Sequence, residues 1–97
     1  LAAWKGLETS DAWITDRTGI KRRHIAAEGE TASSMGAAAC RAALAEAGAD
    51  AAEVDAIIVA TATPDSAFPA TAARIQGALG VTSGFAFDLA AACAGFI

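Results

Sequence analysis

The residue in this sequence best placed for covalent chemistry is Cys93, in the run Phe85-Ala86-Phe87-Asp88-Leu89-Ala90-Ala91-Ala92-Cys93-Ala94-Gly95-Phe96. A short apolar segment leads there into small residues that deliver a thiol at the expected start of a helix. Backbone N–H groups and the helix dipole at such a start favour a thiolate, while Ala91, Ala92, Ala94 and Gly95 leave room for a substrate carbonyl to approach. The dipole alone contributes about 0.3–2 kcal/mol, so a second group, a His, is needed to complete the activation. The competing reading of Cys93 is an inert cysteine packed in an alanine-rich helix, because free cysteines are among the most buried residues. Cys40 falls on the packed stripe of a helix and is read as structural.

Other reactive groups are sparse. Glu28, Glu30, Glu46, Asp50, Glu53 and Asp55 are spread over expected loops and helix surfaces, with no pairing that indicates acid/base work or a metal site. Asp88 differs because it interrupts an apolar strand end. A carboxylate so placed needs partners, and it is expected to accept hydrogen bonds from backbone amides near the nucleophile loop. The single histidine, His24, is read as a strand-end residue.

The elements that would position these groups follow from apolar runs and helix stop signals. Ala56-Ile57-Ile58-Val59-Ala60 and Phe85-Ala86-Phe87 fit strands buried on both faces of a sheet. Each follows a helical segment. Over Thr31 to Ala47, Thr31 or Ser33 can cap the start, Gly48 can end the helix, and Ala37, Cys40, Leu44 and Ala47 form one stripe. Over Ala70 to Leu79, Pro69 sits near the start, Gly80 ends the helix, and Ala72, Ile75, Gln76 and Leu79 share a face. Earlier, Ser10-Asp11 caps a helix containing Ala12-Trp13-Ile14, and Ile20 to Ala26 reads as a polar edge strand. The alternation implies an α/β layered sheet with right-handed parallel crossovers.

Composition bounds what this chain can be. Of its 97 residues 55% are hydrophobic and 19% charged, which excludes a disordered tail. Only 6% are aromatic and alanine fills roughly three positions in ten, so the core gains less per residue than a Leu/Ile/Phe core would. Together with Leu1 in place of Met and an apolar run at the other end, this leads to the expectation that the chain is part of a longer one. A net charge of −4 argues against a nucleic-acid surface, since neutralising phosphates needs clustered Lys and Arg in excess. No apolar stretch reaches the about 18 residues that span a bilayer, so no membrane association is expected. Without a CxxC pair, neither a zinc knuckle nor a disulfide framework is indicated, and a reducing cytoplasm is the simplest setting.

Five blocks in order carry a resemblance: Thr9-Ser10-Asp11-Ala12-Trp13-Ile14, Arg17-Thr18-Gly19-Ile20, Arg23-His24-Ile25, Ala67-Phe68-Pro69, and Asp88 through Phe96. Together they resemble beta-ketoacyl-acyl-carrier-protein synthase III, the initiating condensing enzyme of type II fatty acid synthesis. The resemblance implies the thiolase-like layered fold (αβαβα), with residues 1–97 forming an incomplete N-terminal part, and a homodimer. It implies that Cys93 takes an acyl group from a short acyl-coenzyme A, acetyl-coenzyme A above all, and condenses it with malonyl-acyl-carrier protein, with no cofactor and no metal. It implies that Trp13 stacks on the coenzyme A adenine with Arg17 at the nucleotide end and Thr9 nearby. Read by residue type alone, Trp13 is a core anchor. Phe68, by the same resemblance, crosses a dimer interface and walls the partner's acyl pocket; its other reading is a locally packed loop aromatic. Lys21-Arg22-Arg23 is either a solvated strand edge or a meeting point for an acidic carrier protein, and Trp4 has no assignment. The family's catalytic His and Asn are expected beyond Ile97, because the chain has no Asn and His24 belongs to a different block. Rival readings are a starter-unit ligase of polyketide or quinolone pathways and a non-catalytic paralogue.

Overall fold

Helix formation in this chain is decided at the caps. The computed structural model describes residues 6–97 and contains helix α1 (Asp11–Thr18), helix α2 (Ala32–Ala47), a 3-10 turn (Ala51–Glu53), strand β1 (Ala56–Ala60), helix α3 (Thr71–Leu79), strand β2 (Phe85–Leu89) and a second 3-10 turn (Ala92–Phe96). Trp4 lies outside the described residues. In α1, Ser10 accepts a hydrogen bond from the Trp13 N–H at 3.2 Å. In α2, Thr31 and Ser34 cap each other: the Ser34 N–H donates to Thr31 Oγ1 at 3.1 Å and the Thr31 N–H to Ser34 Oγ at 2.9 Å. Gly48 and Gly80 take the left-handed positions that end α2 and α3.

Helix α3 has no cap of its own, because its N-cap residue, Ala70, carries no side-chain acceptor. The acceptor comes from β2. Asp88 receives the Thr71 N–H on Oδ2 and the Ala72 N–H on Oδ1, both at 2.8 Å, and Thr71 and Ala72 are completely buried. Two donors that would otherwise face the interior unpaired are thus met by one charged group, which also suits the positive end of the helix dipole. The expectation for Asp88 holds as to partner type; the amides belong to α3 rather than to the nucleophile loop.

A second carboxylate extends this chain of contacts. Asp65, in the loop after β1, accepts from the Ser33 N–H at 3.0 Å and from the Ser33 hydroxyl, while its own N–H donates to Thr71 Oγ1 at 3.3 Å. The hydrogen bonds from Ser33 hold the Asp65 carboxyl below the usual carboxylate value of 3.8, against a smaller opposing effect of desolvation.

Strands β1 and β2 are parallel and in register from Ala56 beside Phe85 to Ala60 beside Leu89, with α3 as the crossover. Beyond both ends the ladder continues through Phe85 N–H to Asp55 O (3.1 Å) and Thr61 N–H to Leu89 O (3.0 Å). Gly84 permits the first of these, since a Cβ there would lie 2.0 Å from Asp55 O. Ile57 packs with Ala37, Ala72, Ile75 and Val81 to form the core, and Val59 and Ala86 lie against it.

Within this segment one face of the strands is uncovered: Ile58, Phe85, Phe87 and Leu89 stand exposed on it, and the two phenylalanine rings stack with centroids 6.1 Å apart. Helices α2 and α3 pack on the other side, through Ala37, Ala72 and Ile75. Two expectations need correction. The run from Ile20 to Ala26 is irregular and exposed rather than a strand. Its apolar residues Ile20 and Ile25 are five apart, so on a strand they would point to opposite faces and could not share a buried one. Strand β2 extends two residues further than the apolar run, because its neighbour's pairing carries Asp88 and Leu89 with it.

Replacing Asp88 with Ala should destabilise the protein by about 2–3 kcal/mol, and Asp88→Asn by roughly half that, because one oxygen still accepts. Urea unfolding would measure both; a loss near zero for Asp88→Ala would remove its anchoring role. For Asp65 the folded value is depressed, so its contribution is present above pH 3.8 and is lost as pH falls through the lower folded value. Acid unfolding of Asp65→Asn should therefore show a shallower decline below pH 3.8 than the parent, and superimposable curves would contradict the assignment.

Candidate functional site

Because β1 and β2 are parallel, the loop at 61–70 and the turn that carries Cys93 leave the sheet from the same edge, at the carboxyl ends of the strands. That edge is where open α/β sheets offer loops for binding and catalysis. Leaving β2, the backbone passes Ala90 and Ala91 and turns at Ala92, whose φ of 45° is the one positive value at a non-glycine among the described residues. An alanine held there costs about 1–2 kcal/mol relative to ordinary backbone. The turn is fixed by the Ala94 N–H to Ala91 O bond at 2.9 Å and by packing of Gly95 on β1, where a Cβ would lie 2.7 Å from the Ala60 Cβ. Small residues on both partners are what let the turn lie this close.

Cys93 is exposed, unlike the half-buried Cys40. Within this segment the thiol is reachable from solvent on a strained turn of small residues. Over Ala92–Phe96 the element is a five-residue 3-10 turn. His24 is exposed in the irregular segment after α1.

Trp13 and Arg17 lie one turn apart on α1 and meet, with the Arg17 Cζ 4.5 Å from the centroid of the indole ring. Trp13 is 53% exposed and α1 buries none of its residues within this segment. The pair presents a flat aromatic surface beside a guanidinium, a surface that can accept a base and an adjacent phosphate. Thr9 is half-buried, and its hydroxyl oxygen is shielded from solvent without a hydrogen-bond partner among the described residues. The basic run Lys21-Arg22-Arg23 is exposed.

Phe68 is 89% exposed, so it is not packed locally. It precedes Pro69 through a cis peptide bond, and its carbonyl accepts from Ser66 Oγ at 3.0 Å. The roles of Asp65, Ser33 and Thr71 around this loop were not expected from the sequence. The available signal was a Pro64-Asp65-Ser66 turn followed by a threonine two residues after Pro69.

An apolar cleft of about 260 Å³ lies elsewhere, lined by Cys40, Leu44, Val54, Ile57 and Leu79 among others, and includes none of these groups. Among the described residues no three His, Cys, Asp or Glu side chains converge as metal ligands, and no helix is long and apolar enough to cross a membrane.

No protein-family model matches the chain. It is 67% identical over 91 residues to beta-ketoacyl-[acyl-carrier-protein] synthase III of Acidiphilium cryptum, covering 94% of this chain and 28% of that protein. Among solved structures, the 3-oxoacyl-[acyl-carrier-protein] synthase III of Aquifex aeolicus superimposes with a TM-score of 0.78 at 50% identity, covering 92% of this chain and 29% of that one. The priming beta-ketosynthase of the R1128 polyketide biosynthetic pathway matches with a TM-score of 0.78 at 45% identity, over 92% of this chain and 27% of that one. The chain thus spans a little over a quarter of the length of these relatives, as a piece of their thiolase-like α/β fold. Over nine-tenths of its length the chain is similar, in sequence and in backbone, to beta-ketoacyl-[acyl-carrier-protein] synthase III proteins.

Proposed function

We propose that residues 1–97 are a partial, N-terminal thiolase-like domain of an acyltransferase that condenses a short acyl-coenzyme A, acetyl-coenzyme A above all, with malonyl-acyl-carrier protein to initiate fatty acid synthesis. The observation that carries this reading is the exposure of Cys93 on its strained turn at the carboxyl edge of the sheet. In the first half-reaction the Cys93 sulfur attacks the thioester carbonyl of the acyl-coenzyme A. The carbon–sulfur bond to coenzyme A breaks, coenzyme A leaves as the thiolate, and the acyl group is held as a thioester on Cys93. In the second, malonyl-acyl-carrier protein loses carbon dioxide. The resulting carbanion attacks the acyl carbonyl, forming a carbon–carbon bond and releasing the Cys93 sulfur and the 3-oxoacyl product. The His and Asn that would hydrogen-bond the malonyl thioester oxygen in this family are assigned to residues beyond 97, so the segment alone does not condense substrates.

The half-exposed Trp13 with Arg17 against it supports a nucleotide-binding role, with the adenine on the indole, Arg17 towards phosphate and Thr9 nearby. The exposure of Phe68 supports its placement across a homodimer interface as a wall of the partner's acyl pocket, where a ring of this size favours acetyl-sized primers. The exposed Lys21-Arg22-Arg23 run supports an encounter with an acidic carrier protein, and the cytoplasm is the compartment where both thioesters would be met. A second reading, a starter-unit ligase in polyketide biosynthesis, is favoured by the match to the R1128 priming enzyme.

In the full-length enzyme carrying this segment, iodoacetamide should label Cys93 about tenfold faster than Cys40, and prior acetyl-coenzyme A should block the faster site. Equal rates, or no protection, would count against the nucleophile. Trp13→Ala should raise the KM for acyl-coenzyme A by about tenfold, the equivalent of one lost base stack, and change that for malonyl-acyl-carrier protein far less. An unchanged acyl-coenzyme A KM would end the nucleotide assignment.

A further inference from the structure

Phe68 has no packing within its own segment, so where the ring is presented to a partner depends on the backbone that carries it. That backbone is tied down on both sides of the ring. Three residues before it, Asp65 is bound to the start of α2 through the Ser33 N–H (3.0 Å) and hydroxyl, and to the start of α3 through Thr71 Oγ1 (3.3 Å). At the ring itself, Ser66 Oγ donates to the Phe68 carbonyl at 3.0 Å and receives Arg74 Nη2 at 3.2 Å. Three residues after it, the Thr71 N–H is held by Asp88 at 2.8 Å. A ten-residue surface connection needs none of this to join a strand to a helix, and such loops are ordinarily the most mobile parts of a domain.

We propose that Asp65 is a specificity-positioning residue: through Ser33 and Thr71 it fixes the loop that presents Phe68, and so sets the length of acyl chain that Phe68 admits. Asp65 touches neither substrate nor Cys93 in this account; it acts through the ring. Among the loop's anchors it alone joins both helices, by its carboxylate to α2 and by its backbone to α3. Releasing the Ser33 end leaves Phe68 attached to α3 only, and the ring can then yield to a longer chain. The inference rests on the proposed role of Phe68 as a pocket wall.

The test is the ratio of kcat/KM for butyryl-coenzyme A to that for acetyl-coenzyme A in the full-length enzyme, measured well below each variant's Tm. Phe68→Ala should raise the ratio. Asp65→Asn and Ser33→Ala should each raise it about three- to tenfold, the effect of one hydrogen bond, while Ser33→Thr, which keeps the hydroxyl, should leave it within about twofold of the parent. A merely structural role would lower turnover of both substrates in proportion and leave the ratio where it was. An unmoved ratio in Asp65→Asn and Ser33→Ala, with Phe68→Ala raising it, overturns the proposal and spares the wall. An unmoved ratio in Phe68→Ala overturns the wall and the proposal with it. Should Asp65→Asn fail to fold, Ser33→Ala decides, since it retains the backbone bond and loses only the hydroxyl.

Discussion

One carboxylate holds the parts of this segment in their relation to one another. Asp88 sits near the end of β2 and closes both of its oxygens on the first two amides of α3, each 2.8 Å away. Those amides belong to residues with no solvent access, and Ala70 ahead of them has nothing to offer. Without Asp88 the helix would begin with two buried, unpaired donors, a cost that comes straight out of a modest alanine-rich core. With it, strand and helix are fastened at the same level as the loops that leave the sheet. Thr71 then passes the connection to Asp65, and Asp65 to the start of α2. Two helices and a strand thereby share a single polar seam.

The seam matters for chemistry because of where it lies. Cys93 follows Asp88 by five residues, and Phe68 precedes Thr71 by three. The proposed nucleophile and the proposed pocket wall are therefore both mounted on the same fixed edge, while their own side chains remain exposed. Small residues complete the arrangement: alanine at 92 in a left-handed conformation turns the chain sharply, and glycine at 95 lets that turn settle onto Ala60. Trp13 and Arg17, the proposed nucleotide-binding pair, occupy a helix that buries none of its residues among those described.

The regular elements were largely readable from residue order. The apolar run from Ala56 to Ala60 became β1 without a shift, and the helix expected up to Ala47 is bounded by the Thr31 cap and Gly48. These depend on local chemistry, caps and apolar runs, which a sequence displays directly. What misled was anything that needed a partner. Ile20 to Ala26 has strand-like residue types but no neighbour to pair with and no common apolar face, so it stays irregular. What covers the sheet face that carries Ile58 and Phe87 is likewise not a property of their own spacing. Asp88 could be recognised as a carboxylate in need of donors, but its target lay sixteen and seventeen residues away on another element. Asp65 gave less warning still, since a turn aspartate in a polar loop resembles any other until the helix start it reaches is known. The small residues around Cys93 stand in the sequence, but the role proposed for its thiol follows from the family resemblance and not from local pattern alone.

The account turns on Cys93 carrying the acyl group, and the most direct measurement is mass spectrometry of peptides from the full-length enzyme after incubation with acetyl-coenzyme A alone. The predicted result is an acetyl thioester on the peptide containing Cys93, released by hydroxylamine and discharged on adding malonyl-acyl-carrier protein. Acetylation confined to another residue, or normal condensation by a Cys93→Ala enzyme, would contradict it.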